Sequence, residues 1–247
     1  MATWYQQWFN SPYYHKLYFQ RDEAEARAAI HRLLQRLQPA PGSRMLDAAC
    51  GRGRHSNILS AAGYDVAGID LSPESIAFAK QFETATLHFY LHDLRLPFWM
   101  NYFDYAFNFF TSFGYFATRR EHDAALRTIC QSLKPGGFFL LDYLSVSYAE
   151  THLRASETVQ IDETVFDIRR WHDAGHFYKH ISISDPELKQ PLAFTEKVAK
   201  FHLDDFTAML TQQHMQVTDV FGDYQLGPYD AHKTPHLIVL AKRIANP

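Results

Sequence analysis

The chain has 247 residues, 47% of them hydrophobic, enough to bury one large core. Its 24 basic and 27 acidic residues leave a formal charge of -3 with no Lys/Arg block, which argues against a nucleic-acid backbone as the main partner and toward a small molecule. Cys50 and Cys130 are too few for a disulfide framework, the N-terminus lacks the basic and apolar regions of a signal peptide, and no run nears the roughly 18 apolar residues of a membrane span, so a cytoplasmic protein away from the membrane is expected.

Residues 1–38 open with an aromatic arm, WYQQWFNSPYYHKLYF, and continue into an amphipathic helix in which Ala26, Ile30, Leu33, Leu34 and Leu37 recur at helical spacing. After the break PAPGS, residues 45–49 read as a buried strand and 54–62 as a helix stopped by Gly63. A strand at 65–69, a helix capped by Ser72 with Pro73 at its first position, and a strand near 87–90 follow. A fourth strand is predicted at 103–107 and a helix over 119–133, after which KPGG turns the chain into a fifth strand at 138–143. This alternation predicts a Rossmann-like α/β core with a mostly parallel sheet and helices on both faces. From 145 to 201 the helical period gives way to alternation, with DAG at 173–175 as a hairpin turn, so an antiparallel β insertion is expected after strand five. A helix at 202–214 and strands at 216–221 and 236–241 return to the core. The organisation expected is an N-terminal lid (1–38), a core (39–144 and 202–247) and an insertion (145–201) that roofs the substrate.

The chemistry concentrates at strand ends. In LDAACGRGRHS the first strand runs into Ala49, Gly51 and Gly53, small residues that let a ligand lie against the main chain at a helix N-terminus. The dinucleotide fingerprint would put a third glycine where Ser56 stands, and it has no use for an acid at Asp47; that acid suits a ligand with positive charge, an amine or a sulfonium. Asp70 in GIDLS ends strand two, where a carboxylate can accept both hydroxyls of a ribose, and Asp93 in LHDL follows strand three, in place to accept from an adenine amine. An amino-acid end, a ribose and an adenine in sequence along one crevice describe S-adenosylmethionine.

With those motifs and LKPGG before strand five, the sequence resembles the class I S-adenosylmethionine-dependent methyltransferases over residues 44–143 and, more weakly, 202–243. The resemblance implies the family's seven-stranded sheet, whose final pair includes one antiparallel strand. It implies that Asp47, Ala49 and Gly51, in a motif that also holds Gly53, face the methionine part, Asp70 with Leu71 the ribose, Asp93 with Leu94 the adenine, and Asn108 the reacting end. Ala49 stands where the family usually has its first glycine. The segment NFFTSFGYF after strand four lacks the two prolines typical of members that methylate nucleic-acid bases, so the expected acceptor is an N or O atom of a small molecule, with no nucleic acid and no membrane as partner. No oligomeric state is implied.

A base that deprotonates the acceptor has three candidates, Tyr115, His172 and Asp223, among which the sequence does not choose. Tyr14, Tyr18, Arg21 and Tyr143 are candidates for contacting substrate or closing a lid. His172, His176 and His180 recur every four residues, yet a hairpin turn intervenes, so they read as structural and no metal is expected. Cys50 reads as a small filler. Two other functions use the same crevice: a nicotinamide-dependent oxidoreductase, disfavoured by the missing glycine, and a non-catalytic cofactor-binding partner protein.

Overall fold

The computed structural model describes residues 3–18 and 23–244; Arg21 lies outside them. Two short helices, α1 (Trp4–Phe9) and α2 (Pro12–Tyr18), form the aromatic arm, and α3 (Glu23–Leu37) leads to the core. Strand β1 (Arg44–Ala48) is buried after its first residue, as a central strand covered on both faces must be. Helix α4 (Arg54–Ala61), strand β2 (Asp65–Asp70), helix α5 (Pro73–Ala79) and strands β3 (Leu87–Leu91) and β4 (Phe103–Asn108) follow, then helix α6 (Arg119–Ser132) and strand β5 (Leu133–Leu144). Local chemistry sets these starts. The Ser72 hydroxyl accepts from the Ser75 N–H, and Thr118 and Glu121 cap α6 reciprocally.

Helix α7 (Val146–Thr151) precedes four antiparallel strands, β6 (Ser156–Ile161), β7 (Thr164–His172), β8 (His176–Ser184) and β9 (Leu192–Ala199). Helix α8 (Leu203–Thr211) and strands β10 (Met215–Phe221) and β11 (His236–Arg243) complete the chain. The large sheet has the order β10-β11-β5-β4-β1-β2-β3, with β11 antiparallel between β5 and β10, the Rossmann-like arrangement expected. Its two faces carry separate cores: α3, α4 and α5 cover Met45, Val66, Phe89 and Leu140, while α6 and α8 cover Leu46, Ile69, Phe139 and Leu141.

Three features differ from the sequence reading. KPGG is not a turn ahead of β5. Leu133 already pairs with Phe103 and Phe138 with Tyr105, so Lys134 to Gly137 bulge out within a longer strand. The run ETVQIDETVFDIRRW contains a second hairpin, closed at Asp162, whose φ of 52° supplies the left-handed residue a two-residue turn needs. Helix α7, six residues long, carries no periodic signal of that length.

The arm and the insertion share one core. Phe166 and Ile168 on β7 face Ile183 and Ile181 on β8, and Trp8 of α1 seals this face, with Phe9, Tyr13 and Tyr14 packed around it. Trp8 is fully buried and donates from its indole nitrogen to Glu196 Oε1 at 2.7 Å. The same arm reaches the large sheet, where the Ser72 hydroxyl donates to Asn10 Oδ1 at 2.6 Å and Trp4 and Phe9 meet Tyr115 edge-on.

Candidate active site

The carboxyl ends of β1, β2, β4 and β5 converge on one crevice, as a parallel sheet dictates. Asp47, next to last in β1, is 1% exposed, and its Oδ2 accepts from the Ser56 hydroxyl at 2.6 Å. Burial pushes its pKa up from 3.8 to about 6, Ser56 opposing and nearby Asp70 adding to the rise. Ala49 follows at a φ of 64°, the left-handed region that glycine occupies without strain, which gives a physical reason for a glycine at this point.

Gly51 and Gly53 are small for different reasons. At Gly51 the φ is 55° and a Cβ would meet nothing within 4 Å, so the residue borders open space. At Gly53 a Cβ would stand 2.5 Å from the Phe89 ring, so this glycine lets α4 close onto β3. Only the first leaves room for a ligand. Cys50, just ahead of Gly51, is buried.

Asp70, half-buried at the end of β2, accepts from Gly51 N–H at 2.9 Å and Ser72 N–H at 2.8 Å, one on each oxygen. Burial raises its pKa, while these backbone donors pull it back. It therefore ties the glycine loop to the start of α5 and keeps one lone pair on each oxygen for a diol. Leu71 is half-buried beside it. Asn108 at the tip of β4 is fully buried. Its amide nitrogen donates to Ala48 C=O at 2.7 Å, which leaves Oδ1 as an acceptor with no partner, an atom that a bound N–H group would satisfy.

Asp93 follows β3, as expected, and is engaged by a neighbour in the chain. Arg95 grips both its oxygens, at 2.6 Å from Nη2 to Oδ2 and 3.0 Å from Nε to Oδ1, and reaches Glu121 at 2.5 Å. Burial pulls Asp93 up, but the hydrogen bonds and charge of Arg95 outweigh it and hold the carboxyl below its ordinary value. The carboxylate thus anchors α6 to the end of β3, and Leu94 beside it is buried with its C=O accepting from the Thr128 hydroxyl.

Between the crevice, the arm and the β6–β9 sheet lies a cavity of about 370 Å³. Phe9, Tyr14 and Tyr18 line it from the arm, Arg54, Phe110, Thr111 and Tyr115 from the loops after β1 and β4, and Glu196 and Val198 from β9. Glu25, Leu144, Tyr224 and His236 complete the wall. Tyr18 donates to Glu196 Oε1 at 2.8 Å and accepts from Lys179 Nζ at 2.5 Å; burial, then the Glu196 charge, push its phenol well above the ordinary value.

Of the candidate bases, Tyr115 is in this wall and the other two are not. His172 sits exposed at the end of β7, 3.0 Å from Lys200 Nζ, and the strand register sets it beside Phe177, on the face opposite His176 and His180. Asp223 turns back on its own loop, accepting from the N–H groups of Gln225 at 2.8 Å and Gly227 at 3.0 Å. Tyr143 is also elsewhere: it is fully buried in the core, its hydroxyl donating to Ala199 C=O at the end of β9. Among the described residues no group of three or more His, Cys, Asp or Glu side chains is placed to hold a metal, and no helix is long and apolar enough to cross a membrane.

The wall residues that sequence reasoning missed include Glu25, Glu196, Tyr224 and His236, and it also missed the buried Asp142 that binds two of them. Asp142 Oδ2 accepts from the Tyr224 hydroxyl at 2.7 Å and Phe110 N–H at 2.8 Å, and Oδ1 lies 3.2 Å from His236 Nδ1. The one available signal was an acid, LLDYL, at the end of a buried strand, as at Asp47 and Asp70.

Replacing Asp70 with asparagine is expected to weaken binding of S-adenosylhomocysteine about tenfold or more and to lower the melting temperature slightly, because charge-assisted bonds worth about 1.5–3 kcal/mol serve both ligand and loop. Calorimetry and thermal melts read the two effects; parent-like affinity with a large loss of stability would make Asp70 purely structural.

A family profile described as "Methyltransferase domain" matches residues 18–192. The chain is 27% identical over 197 residues to the dTDP-3-amino-3,4,6-trideoxy-alpha-D-glucopyranose N,N-dimethyltransferase of Streptomyces venezuelae, covering 76% of this chain and 82% of that one. Among solved structures, an S-adenosylmethionine-dependent methyltransferase from Clostridium acetobutylicum superposes with a TM-score of 0.79 at 17% identity, covering 94% of this chain and 97% of that one. The sugar N-methyltransferase KedS8 from Streptoalloteichus superposes with a TM-score of 0.72 at 22% identity, covering 94% and 93%.

Proposed function

The chain belongs to the S-adenosylmethionine-dependent methyltransferases, and we propose that its acceptor is the amine nitrogen of an amino sugar. The observation that carries this reading is the cavity wall: two carboxylates, Glu25 and Glu196, stand in a ring of aromatic faces that includes Phe9, Tyr14, Tyr18 and Tyr115. Aromatic faces and carboxylates both attract a cationic amine, which is the acceptor's resting form at neutral pH. The Streptomyces venezuelae relative, named for an amino-sugar acceptor, supports the same class.

In this reading Gly51, Ala49 and the Asn108 amide line the methionine end, Asp47 balances its positive charge, and Asp70 takes the ribose. Asp93 secures the loop on the adenine side, where Leu94 is buried. The cofactor supplies an electrophilic methyl on a sulfonium. The chain aligns the amine with that methyl and keeps water out. The arm, residues 1–38, and the insertion, residues 145–201, act together as the lid: Trp8 and Tyr18 both bind Glu196, so closing one closes the other. Cys50 and Cys130 are free thiols, in keeping with a cytoplasmic site of action.

The test is incubation with S-adenosylmethionine and the acceptor for which the relative is named, followed by mass spectrometry. One or two added methyl groups on nitrogen are expected. Methylation of hydroxyl acceptors with none on amino sugars would overturn the proposal.

A further inference from the structure

We propose that His236 and Asp142 form the proton-accepting pair that deprotonates the acceptor amine, an inference that rests on the amine reading above. Asp142 lies near the end of β5 and His236 opens β11, the antiparallel neighbour, so their side chains meet behind the cavity wall to which His236 contributes. The Asp142 carboxylate is 1% exposed, and three donors offset its burial: His236 Nδ1, the Tyr224 hydroxyl and the Phe110 N–H. A carboxylate only accepts, so Nδ1 carries the hydrogen and Nε2 keeps its lone pair.

The same acid organises the approach of the acceptor. Phe110 N–H binds its side chain, and Thr111 N–H donates to its backbone carbonyl at 3.0 Å. Phe110 and Thr111 lie two and three residues after Asn108 at the tip of β4, and both line the cavity with His236. One buried carboxylate thus holds the base and the post-β4 loop as a single body. The sheet order places β4 and β5 between β1, at the cofactor crevice, and β11, which carries the histidine.

The proton count closes. The acceptor ammonium gives one proton to Nε2, and the freed lone pair forms the N–C bond while the C–S pair returns to sulfur. Asp142 balances the imidazolium, which passes its proton to solvent. Neither His172 nor Asp223 lines the cavity, and His236, which does, is oriented by a buried acid, the arrangement that makes a histidine an effective base.

Two readouts test the pair. In the ¹⁵N-histidine spectrum of the full-length protein with S-adenosylhomocysteine, assigned with His236→Gln, His236 is expected as the Nδ1–H tautomer. In Asp142→Asn the amide can donate to Nδ1, and the tautomer is expected to flip to Nε2–H. On the amino-sugar nucleotide used above, His236→Gln and Asp142→Asn are each expected to lose about a hundredfold or more in kcat. In His236→Gln, KM and S-adenosylhomocysteine affinity should stay near the parent values, and added imidazole should partly restore His236→Gly. An Nε2–H tautomer in the parent, or a parent-like kcat in His236→Gln, overturns the pair while leaving amine methylation standing. If the parent methylates no amino sugar, the acceptor class falls and the tautomer alone decides: Nδ1–H supports the pair and Nε2–H sinks it.

Discussion

Asp47→Asn is expected to make the ligand-free protein more stable at pH 8, by up to about 2 kcal/mol, while weakening S-adenosylmethionine binding about tenfold or more. Burial raises Asp47 from 3.8 to about 6, so the folded protein holds this proton more tightly than the unfolded chain does. Its contribution therefore favours folding most below pH 4, declines as the pH climbs to about 6, and above that leaves an ionised, desolvated carboxylate costing about 3 kcal/mol. A cationic ligand offsets that cost, so affinity for S-adenosylmethionine should rise between pH 5 and pH 7 in the parent. In Asp47→Asn that rise should flatten. The stability gain is set below the full cost because the new amide nitrogen also needs a partner. Denaturation and calorimetry from pH 4 to pH 8 provide the check. Loss of stability at pH 8 with unchanged affinity would mean that Asp47 serves Ser56 and the fold, not the ligand.

Trp8→Ala should detach the arm. Removing a fully buried tryptophan costs about 3–5 kcal/mol, and here the loss falls on two small helices whose main partner is the β6–β9 sheet. The ring lies 4.7 Å from Phe194 and 5.4 Å from Tyr14, and its indole N–H donates to Glu196 Oε1, as the Tyr18 hydroxyl also does. Because local opening needs less free energy than global unfolding, the core should stay folded while residues 3–18 become accessible. Limited proteolysis should cut the variant within the arm, and methyl transfer should fall at least tenfold as the cavity loses Phe9, Tyr14 and Tyr18 from its wall. A variant that resists protease and turns over at the parent rate would show that the arm does not depend on this ring.

What could be read from the sequence was what neighbours in the chain decide. Strands β1 and β2 are short, mostly apolar runs with an acid at or next to their last residue, and the Ser72-Pro73 and Thr118-to-Glu121 patterns mark helix starts wherever they occur. Asp47, Gly51 and Asp70 were accessible for the same reason, each lying at a strand end that its own segment defines. Asp93 was accessible as a position but not as a partner: Arg95, two residues away, takes both of its oxygens, a geometry that a side-chain rotamer sets. His236 and Asp142 are 94 residues apart, and their pairing depends on β11 running antiparallel beside β5 in one register. The arm's aromatic residues signalled burial but not its location, since tyrosine and tryptophan pack equally well on a sheet, a helix or a lid.

The core shared by the arm and the insertion also sets an order for synthesis. Trp8 and Glu196 are 188 residues apart, which at about 5–20 residues per second is roughly 10–40 s of translation. For that interval the first aromatic helices are outside the ribosome with no strands to cover them, while β1 to β5 can already assemble. The nascent chain therefore passes through a stage in which a nearly complete sheet trails an uncovered Trp-Tyr segment, the kind of surface that a chaperone binds. A circular permutant starting in the loop before β6, with the old termini joined, would bring the arm out after its partner strands and shorten that exposure.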